Sequence, residues 1–279
     1  MKALSVLLAV AAILVIRPQR ATSAQYAIPM ITAPAAIVID GWSGTVLYQK
    51  NASSLRYPAS TSKIMAALVI LRRHIPLQRV VTVSPYAASI GGSTAGLFAG
   101  ERMNLWNLLH GLLLPSGNDA AIALAEAVSG TEARFVALMN RQARRLHLWH
   151  THYVSPDGFD APGQITTPRD LATLARVAMG RSRFARIART RFWTARSSDG
   201  RSEHRWVNLN KLLWMSRRVD GVKTGTTPGA GACLVASAHW RGRWIIEVNM
   251  GSTYQTRFDD GMKLLDYGFS IAASPPSTD

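Results

Sequence analysis

Residues 57–68 read Tyr-Pro-Ala-Ser-Thr-Ser-Lys-Ile-Met-Ala-Ala-Leu, and the rest of the chain is organised around this stretch. Pro58 interrupts the preceding segment, small polar residues follow, and a run of good helix formers then predicts a loop-to-helix junction. Ser60 falls near the first turn and Lys63 lies three residues later. This spacing puts the two side chains on one helical face, with their Cβ atoms about 5–6 Å apart.

A serine and a lysine in this arrangement can form a catalytic pair. A serine hydroxyl is a poor nucleophile until a base removes its proton, and an amine can be that base when burial or a neighbouring cation lowers its pKa. The helix N-terminus adds partial positive charge, which favours a developing oxyanion. Taken alone, Ser-x-x-Lys is more simply explained by a helix cap and a solvated lysine, because both residues are common.

The N-terminal segment is typical of a secretory signal peptide. Lys2 is followed by an apolar run through Ile16 and by a short polar stretch that ends at Ala24. The run has about 14 residues, which is too short to span a bilayer comfortably. We therefore predict a signal peptide over residues 1–24 and a periplasmic or other extracytoplasmic location. An uncleaved signal anchor is the alternative, because Arg17 and Arg20 follow the apolar run.

The chain is strongly basic, with a formal net charge of +16 over 279 residues. Its arginines are scattered over residues 134–145, 176–205 and 217–218, without a basic cluster and aromatic partners on one element, so we do not expect a nucleic-acid partner. Weak association with an anionic envelope surface or an acidic polymer is the more natural expectation. A basic solvated surface that reflects compositional bias explains the charge equally well.

The hydrophobic pattern predicts strands near both ends of the chain with helices between them. We therefore expect one α/β domain over residues 25–272 that contains an all-helical insertion, followed by a disordered tail over residues 273–279. Residues 87–100, rich in Gly, Ser and Ala, predict a surface loop. Predicted strands lie at 35–40, 45–48, 80–83, 192–195, 205–209, 221–224, 232–239 and 243–250, and predicted helices at 60–73, 104–113, 120–128, 131–148, 167–179 and 263–269.

Two further polar motifs interrupt apolar structure. Ser116-Gly-Asn118 lies between two predicted helices, where a loop can direct side chains into a cleft. Lys223-Thr-Gly225 ends a predicted strand and is followed by Thr226, and a glycine at 225 would let a substrate backbone lie beside that strand. Each motif alone is also explained by a helix-capping turn or a hairpin end.

In this order the three motifs resemble the penicillin-binding protein and serine β-lactamase superfamily, and most closely its low-molecular-weight D-alanyl-D-alanine carboxypeptidases. The resemblance covers nearly all of the chain after the leader. It implies a β-lactamase/transpeptidase-like fold, in which an antiparallel sheet from both chain ends carries an inserted all-helical subdomain. Further matches are Gly100-Glu, Leu114-Pro-Ser-Gly-Asn-Asp-Ala-Ala, Asp220-Gly-Val-Lys-Thr-Gly and Leu264-Leu-Asp-Tyr-Gly-Phe.

The resemblance implies catalytic roles. Ser60 would attack the carbonyl between the two terminal D-alanines of a peptidoglycan stem peptide and form an acyl-enzyme, which water then hydrolyses. Lys63 would be the base, with its pKa lowered partly by the second cation, Lys223. Ser116 would relay a proton towards the leaving amine. The backbone N–H groups of Ser60 and Thr226 would form the oxyanion hole.

It also implies substrate-binding roles. Asn118 would bind the substrate amide and hold the base, and Thr224 would grip the terminal carboxylate with help from the charge of Lys223. Gly225 and Thr226 would line the path of the substrate. Arg257 is a further candidate for the carboxylate, with a solvated arginine as the alternative. β-Lactam antibiotics would acylate Ser60. No cofactor is implied, and His147, His150 and His152 lack the carboxylate or second pair that a metal site requires.

Other functions remain open from the sequence. A D,D-endopeptidase that cuts cross-links would use the same chemistry, and a non-catalytic peptidoglycan-binding protein would not need all of these residues. A serine β-lactamase would need a deacylating carboxylate, and Glu203, the only glutamate in residues 153–205, has the wrong context. Because the chain ends at Asp279, soon after the predicted closing helix, we expect neither a β-rich second domain nor a C-terminal membrane anchor.

Overall fold

The computed structural model describes residues 27–271. The predicted signal peptide and the predicted disordered tail lie outside the described residues. The strands are β1 (Ala35–Asp40), β2 (Val46–Lys50), β3 (Val80–Thr82), β4 (Arg102–Asn104), β5 (Phe192–Arg196), β6 (Glu203–Val207), β7 (Val219–Thr227), β8 (Gly231–Trp240) and β9 (Arg243–Ser252). The helices are α1 (Ser62–Leu71), α2 (Pro85–Ser89), α3 (Leu105–Leu113), α4 (Asn118–Ser129), α5 (Glu132–Arg145), α6 (Pro168–Met179), α7 (Ser182–Ala188), α8 (Leu212–Met215) and α9 (Arg257–Ile271).

A five-stranded antiparallel sheet joins the two ends of the chain in the order β2-β1-β9-β8-β7. Strand β1 pairs with β2 on one side and with β9 on the other, so that Val38 lies opposite both Tyr48 and Glu247. Alternate residues of β1 face opposite sides of the sheet, as strand geometry requires. Ile37 belongs to the core under the helical region, whereas Val38 belongs to the core under α9. The predicted fold class is confirmed.

Helix α1 runs through the middle of the larger core. Nine of its ten residues are buried, and its sequence is apolar on all sides, as expected of a helix enclosed by other elements. It contacts α3, α4, α5, α6, α7 and β7. The first turn of this helix therefore has a rigid base, which is the setting that a catalytic side chain needs.

Two local predictions were wrong, and two predicted strands lie outside the main sheet. The predicted strands at 192–195 and 205–209 form a separate two-stranded sheet, β5-β6, because their inward side chains pack over the helical region; Trp206 Nε1 donates to the Ala95 carbonyl at 2.8 Å. The predicted surface loop begins with α2, and its Ala95 and Leu97 are buried. The closing helix begins six residues earlier than predicted, at Arg257.

Within residues 27–271, no helix is both long and apolar enough to cross a membrane.

Candidate active site

Ser60 lies in a tight turn, Ala59–Thr61, that leads into α1. The turn is strained, because Ala59 adopts a φ of +48°, which is uncommon for a residue with a side chain. Gly158 packs directly against it: a Cβ built on Gly158 would lie 1.9 Å from the Ala59 carbonyl oxygen. Ser60 itself is partly exposed, so a substrate can reach the hydroxyl that this turn holds in place.

The amine of Lys63 contacts three oxygens. Nζ lies 2.9 Å from Ser60 Oγ, 2.7 Å from Asn118 Oδ1 and 2.8 Å from the Asp157 carbonyl oxygen. The Asn118 amide is oriented by its Nδ2, which donates to the Gly91 carbonyl at 2.8 Å. The oxygens of Asn118 and Asp157 can only accept. A neutral amine spends its two N–H groups on them and directs its lone pair at the hydroxyl of Ser60.

Burial keeps this amine close to neutrality. It lowers the pKa of Lys63 from 10.5 to about 7, against the opposing charges of Asp157 and Asp119. We expected Lys223 to supply part of this shift, but the structure gives burial as the cause. The pKa of Lys223 is itself lowered well below its ordinary value, first by burial and then by the charges of Lys63 and Arg257.

Ser116 presents a free hydroxyl beside this pair. Its φ is +66° and its Oγ is buried, yet Oγ has no hydrogen-bond partner among the described residues. Gly117 makes this turn possible, because a Cβ there would lie 2.6 Å from Asp119 Oδ1. The Asp119 carboxylate in turn accepts from the backbone N–H groups of Ala95 and Leu97 at 2.8 and 3.0 Å. A buried hydroxyl without a partner is available to a ligand.

Strand β7 forms the opposite wall and is an edge strand of the sheet. Thr224, Gly225 and Thr226 line the cleft, while Lys223 is 1% exposed and donates to the Thr224 carbonyl at 2.9 Å. A Cβ on Gly225 would lie 2.9 Å from the Ser60 backbone nitrogen. The glycine is therefore needed for the close approach of β7 to the nucleophile turn, and its use by a substrate backbone stays a prediction.

Arg257, the first residue of α9, is 4% exposed, so the solvated alternative was wrong. Its Nη1 donates to Thr226 Oγ1 at 2.7 Å and to the Gly225 carbonyl at 3.3 Å. The guanidinium also packs on the rings of Tyr254 and Phe258, 4.8 and 4.7 Å from their centroids. Within the described part of the chain it has no carboxylate partner, which suits it to a carboxylate on a ligand.

These residues surround a cleft of about 510 Å³. Lys63, Asn118 and Lys223 lie behind its wall. Its described lining contains no aspartate or glutamate, and its charged members are cationic. Such a site suits acyl transfer to a serine from a substrate that ends in a carboxylate. The lining residues are Ser60, Ser93, Ser116, Val207, Asn208, Leu209, Lys211, Trp214, Thr224, Gly225, Thr226, Tyr254 and Arg257.

The structure brings all nine predicted site residues to this cleft or its wall, and it adds residues that sequence reasoning missed. Asp157 contributes its backbone carbonyl to the base, and Gly158 supports the nucleophile turn. The sequence Pro156-Asp-Gly indicated a turn, but nothing in it indicated a contact with a lysine 94 residues away. Lys211 and Tyr254 line the cleft without any recognisable motif.

Comparisons with known proteins agree with this chemistry. Residues 20–253 match peptidase family S11, described as D-alanyl-D-alanine carboxypeptidase. The D-alanyl-D-alanine carboxypeptidase of Streptomyces sp. strain K15 is 36% identical over 259 residues, which cover 87% of this chain and 89% of that protein. Escherichia coli D-alanyl-D-alanine carboxypeptidase DacC is 38% identical over 255 residues, 86% of this chain and 62% of that protein. This chain thus spans less than two thirds of the length of some relatives and most of the length of another.

Solved structures show the same fold. The Streptomyces K15 DD-transpeptidase superposes with a TM-score of 0.83 at 35% identity, covering 88% of this chain and 100% of that one. An evolved penicillin-binding protein homolog from Mycobacterium tuberculosis superposes with a TM-score of 0.84 at 32% identity, covering 92% of this chain and 97% of that one.

Proposed function

The chain belongs to the D-alanyl-D-alanine carboxypeptidase family of serine peptidases, and we propose that it removes the terminal D-alanine from peptidoglycan stem peptides outside the cytoplasm. The observation that carries the proposal is the Lys63 amine, whose two N–H groups have acceptors and whose third contact is the Ser60 hydroxyl. This is the geometry of a base poised on its nucleophile.

Acylation begins when Lys63 takes the proton of Ser60 as Oγ bonds to the carbonyl carbon of the scissile peptide. The backbone N–H groups of Ser60 and Thr226 receive the oxyanion. The free hydroxyl of Ser116 then passes a proton from Lys63 to the leaving D-alanine nitrogen, and the C–N bond breaks. Because Ser116 Oγ has no hydrogen bond to give up among the described residues, this relay costs little reorganisation.

The β7 side of the cleft, with Arg257 beside it, binds the carboxylate of the substrate. The terminal carboxylate lies against Thr224 and the guanidinium of Arg257, which has no other carboxylate within the described chain. Lys223 is buried behind Thr224, and a carboxylate bound there favours the charged form of this lysine. Asn118 holds the base through its Oδ1, and one N–H of its Nδ2 donates to the Gly91 carbonyl, which leaves the second N–H for the substrate amide.

Hydrolysis of β-lactams is the weaker alternative. Glu203 lies on β6 and pairs with Arg196 and Arg205 at 2.7 and 3.0 Å, so it is committed elsewhere. The described cleft lining contains no carboxylate that could activate a deacylating water. Penicillins therefore act as acylating inhibitors that leave a long-lived adduct on Ser60. Cleavage of cross-links and transfer to an amine acceptor use the same acyl-enzyme and differ in what enters after acylation.

Labelling with a fluorescent penicillin tests the proposal. The wild-type protein and the Ser62→Ala variant should take up covalent label, and the Ser60→Ala variant should take up none. Ser62 is the matched control because it is the first residue of α1, two residues after Ser60, and its hydroxyl contacts only Gln164 Nε2 among the described residues. Absence of label on the wild type, or label that survives Ser60→Ala, would refute the acyl-enzyme. Release of free D-alanine from a pentapeptide, compared with cleavage of a cross-linked dimer, separates the two peptidase activities.

A further inference from the structure

A second cavity, of about 730 Å³, lies at the far end of α1 from Ser60. It opens between the C-terminal end of α1, the outer face of α5 and the start of α7. The ten residues of α1 separate it from the nucleophile by about 15 Å. Its lining includes six arginines that lie in or directly beside these three elements, which are Arg72, Arg73, Arg141, Arg145, Arg181 and Arg183.

The positive charges of these six arginines are not neutralised by a carboxylate among the described residues. The described lining contains no aspartate or glutamate. None of the six guanidinium groups donates a hydrogen bond or forms an ion pair within residues 27–271, whereas Arg196, Arg205 and Arg218 elsewhere on the surface each pair with a carboxylate. Like charges that converge on one cavity repel each other unless an anion lies between them.

Gln142 adds an independent observation. It lines the same cavity, is only 7% exposed, and its Nε2 has no hydrogen-bond partner among the described residues. A buried amide N–H without an acceptor destabilises the folded protein. Nε2 is itself closed to solvent, so an anionic oxygen in the cavity reaches this N–H after a small movement of the side chain. The amide then favours the same kind of ligand as the arginines.

The cavity continues into a neighbouring depression of about 620 Å³, with which it shares His74, Ser182 and Arg183. The depression adds Arg186, whose guanidinium lies 5.6 Å from the ring centroid of Trp106. We call the two together the arginine groove. The two volumes together provide room for several anionic groups.

We propose that the arginine groove binds an extended polyanion that carries phosphate groups. Arginine guanidinium groups suit phosphate oxygens because they offer paired N–H donors in one plane. The cations line a concave groove and come from three elements, so a linear chain can lie among them, whereas a flat bilayer meets only its rim. Since the groove is remote from the cleft, an enzyme held on an anionic polymer keeps its active site open.

Binding of the purified protein to inorganic polyphosphate tests the proposal. The groove variant carries Arg72→Gln, Arg141→Gln and Arg181→Gln, one from each wall. Its matched control carries Arg134→Gln, Arg144→Gln and Arg189→Gln, which removes the same charge outside the groove. Each arginine near a polyanion strengthens binding about fivefold, so the groove variant should bind about a hundredfold more weakly than the wild type, and the control variant far less so. Penicillin labelling should be unchanged in both.

Three results would overturn the proposal. The first is absence of binding at low salt, and the second is equal weakening of both triple variants, which would reduce the effect to net charge. The third is tighter binding to vesicles containing phosphatidylglycerol than to polyphosphate at equal phosphate concentration, which would favour a bilayer. If the groove variant does not fold, Gln142→Glu serves instead: it places a carboxylate among the arginines and should weaken polyphosphate binding more than Gln142→Met, which removes only the amide donor.

Discussion

Asn118 holds Lys63 in the orientation that a base requires: Oδ1 lies 2.7 Å from Nζ, and the amide is itself anchored on the Gly91 carbonyl. The contact joins the first turn of α1 to the first residue of α4. It also restrains the amine more firmly than the contact with Ser60 could alone, because the hydroxyl must move during the reaction. The orientation and the protonation state of the Lys63 amine therefore depend on its burial and on its hydrogen bonds.

The pH dependence of acylation should follow Lys63. The neutral amine is the active form and its pKa is lowered to about 7, so the acylation rate should rise as the pH increases through that value. Because burial causes the shift, Lys223→Met should slow acylation and leave the midpoint of this rise in place. The measurement is the second-order rate of penicillin labelling from pH 5 to pH 9. A midpoint that moves up by a full pH unit would restore Lys223 as the cause.

Lys63 should also shape stability. Between pH 7 and pH 10.5 the unfolded chain carries a proton on this lysine that the folded protein lacks, so folding becomes more favourable as the pH rises through this window. Lys63→Met removes that dependence. The difference in free energy of unfolding between the wild type and the variant should therefore increase, in favour of the wild type, by up to about 1.4 kcal/mol per pH unit. Urea denaturation of both proteins at four pH values gives the slope, and parallel curves would show that Lys63 is charged when folded.

Arg257→Gln should weaken substrates that end in a carboxylate. A hydrogen bond to a charged group contributes about 1.5–3 kcal/mol, so kcat/KM for such a peptide should fall about 10- to 100-fold. The same peptide with an amidated C-terminus provides the control, because it has no charge for the guanidinium to meet. Equal losses on the two peptides would mean that Arg257 only supports the wall of the cleft.

Gly158→Ala should abolish acylation by displacing the turn that holds Ser60. Its φ is +95° and the new Cβ would lie 1.9 Å from the Ala59 carbonyl oxygen, so the nucleophile turn must shift. Gly200→Ala is the matched control, with a φ of +72° and open space around its Cβ. Gly200→Ala should lower the free energy of unfolding by about 1 kcal/mol, because of its backbone conformation alone. Gly158→Ala should lower it by several kcal/mol and should also abolish labelling. Thermal unfolding and penicillin labelling measure both effects, and similar losses in the two variants would discount the contact.

The sequence was most informative where chemistry and local pattern coincide. Ser60, Ser116 and Lys223 each sit in a short motif at the end of an element, and the sheet assembled from both chain ends follows from apolar runs of strand length. The packing was not predictable in the same way. That β5 and β6 leave the main sheet depends on where Trp206 finds a partner, which is the Ala95 carbonyl 111 residues away.

The same limit explains the errors within the site. Burial of Lys63 is a property of the whole core, so the sequence could not show that burial outweighs Lys223, to which we assigned part of the lowered pKa. Arg257 offered no motif, and only the assembled fold shows that its side chain turns inwards onto β7. Asp157 acts through its backbone, which no residue type can reveal.

The enclosure of α1 has a kinetic consequence. With nine of its ten residues buried, this helix has few routes to local opening, and we expect its amide hydrogens to exchange with solvent only when the whole protein unfolds. Covalent adducts on Ser60 are consequently attached to the turn that this helix supports. Their lifetime is then governed by the approach of water through the cleft, since breathing of the backbone beneath them contributes nothing.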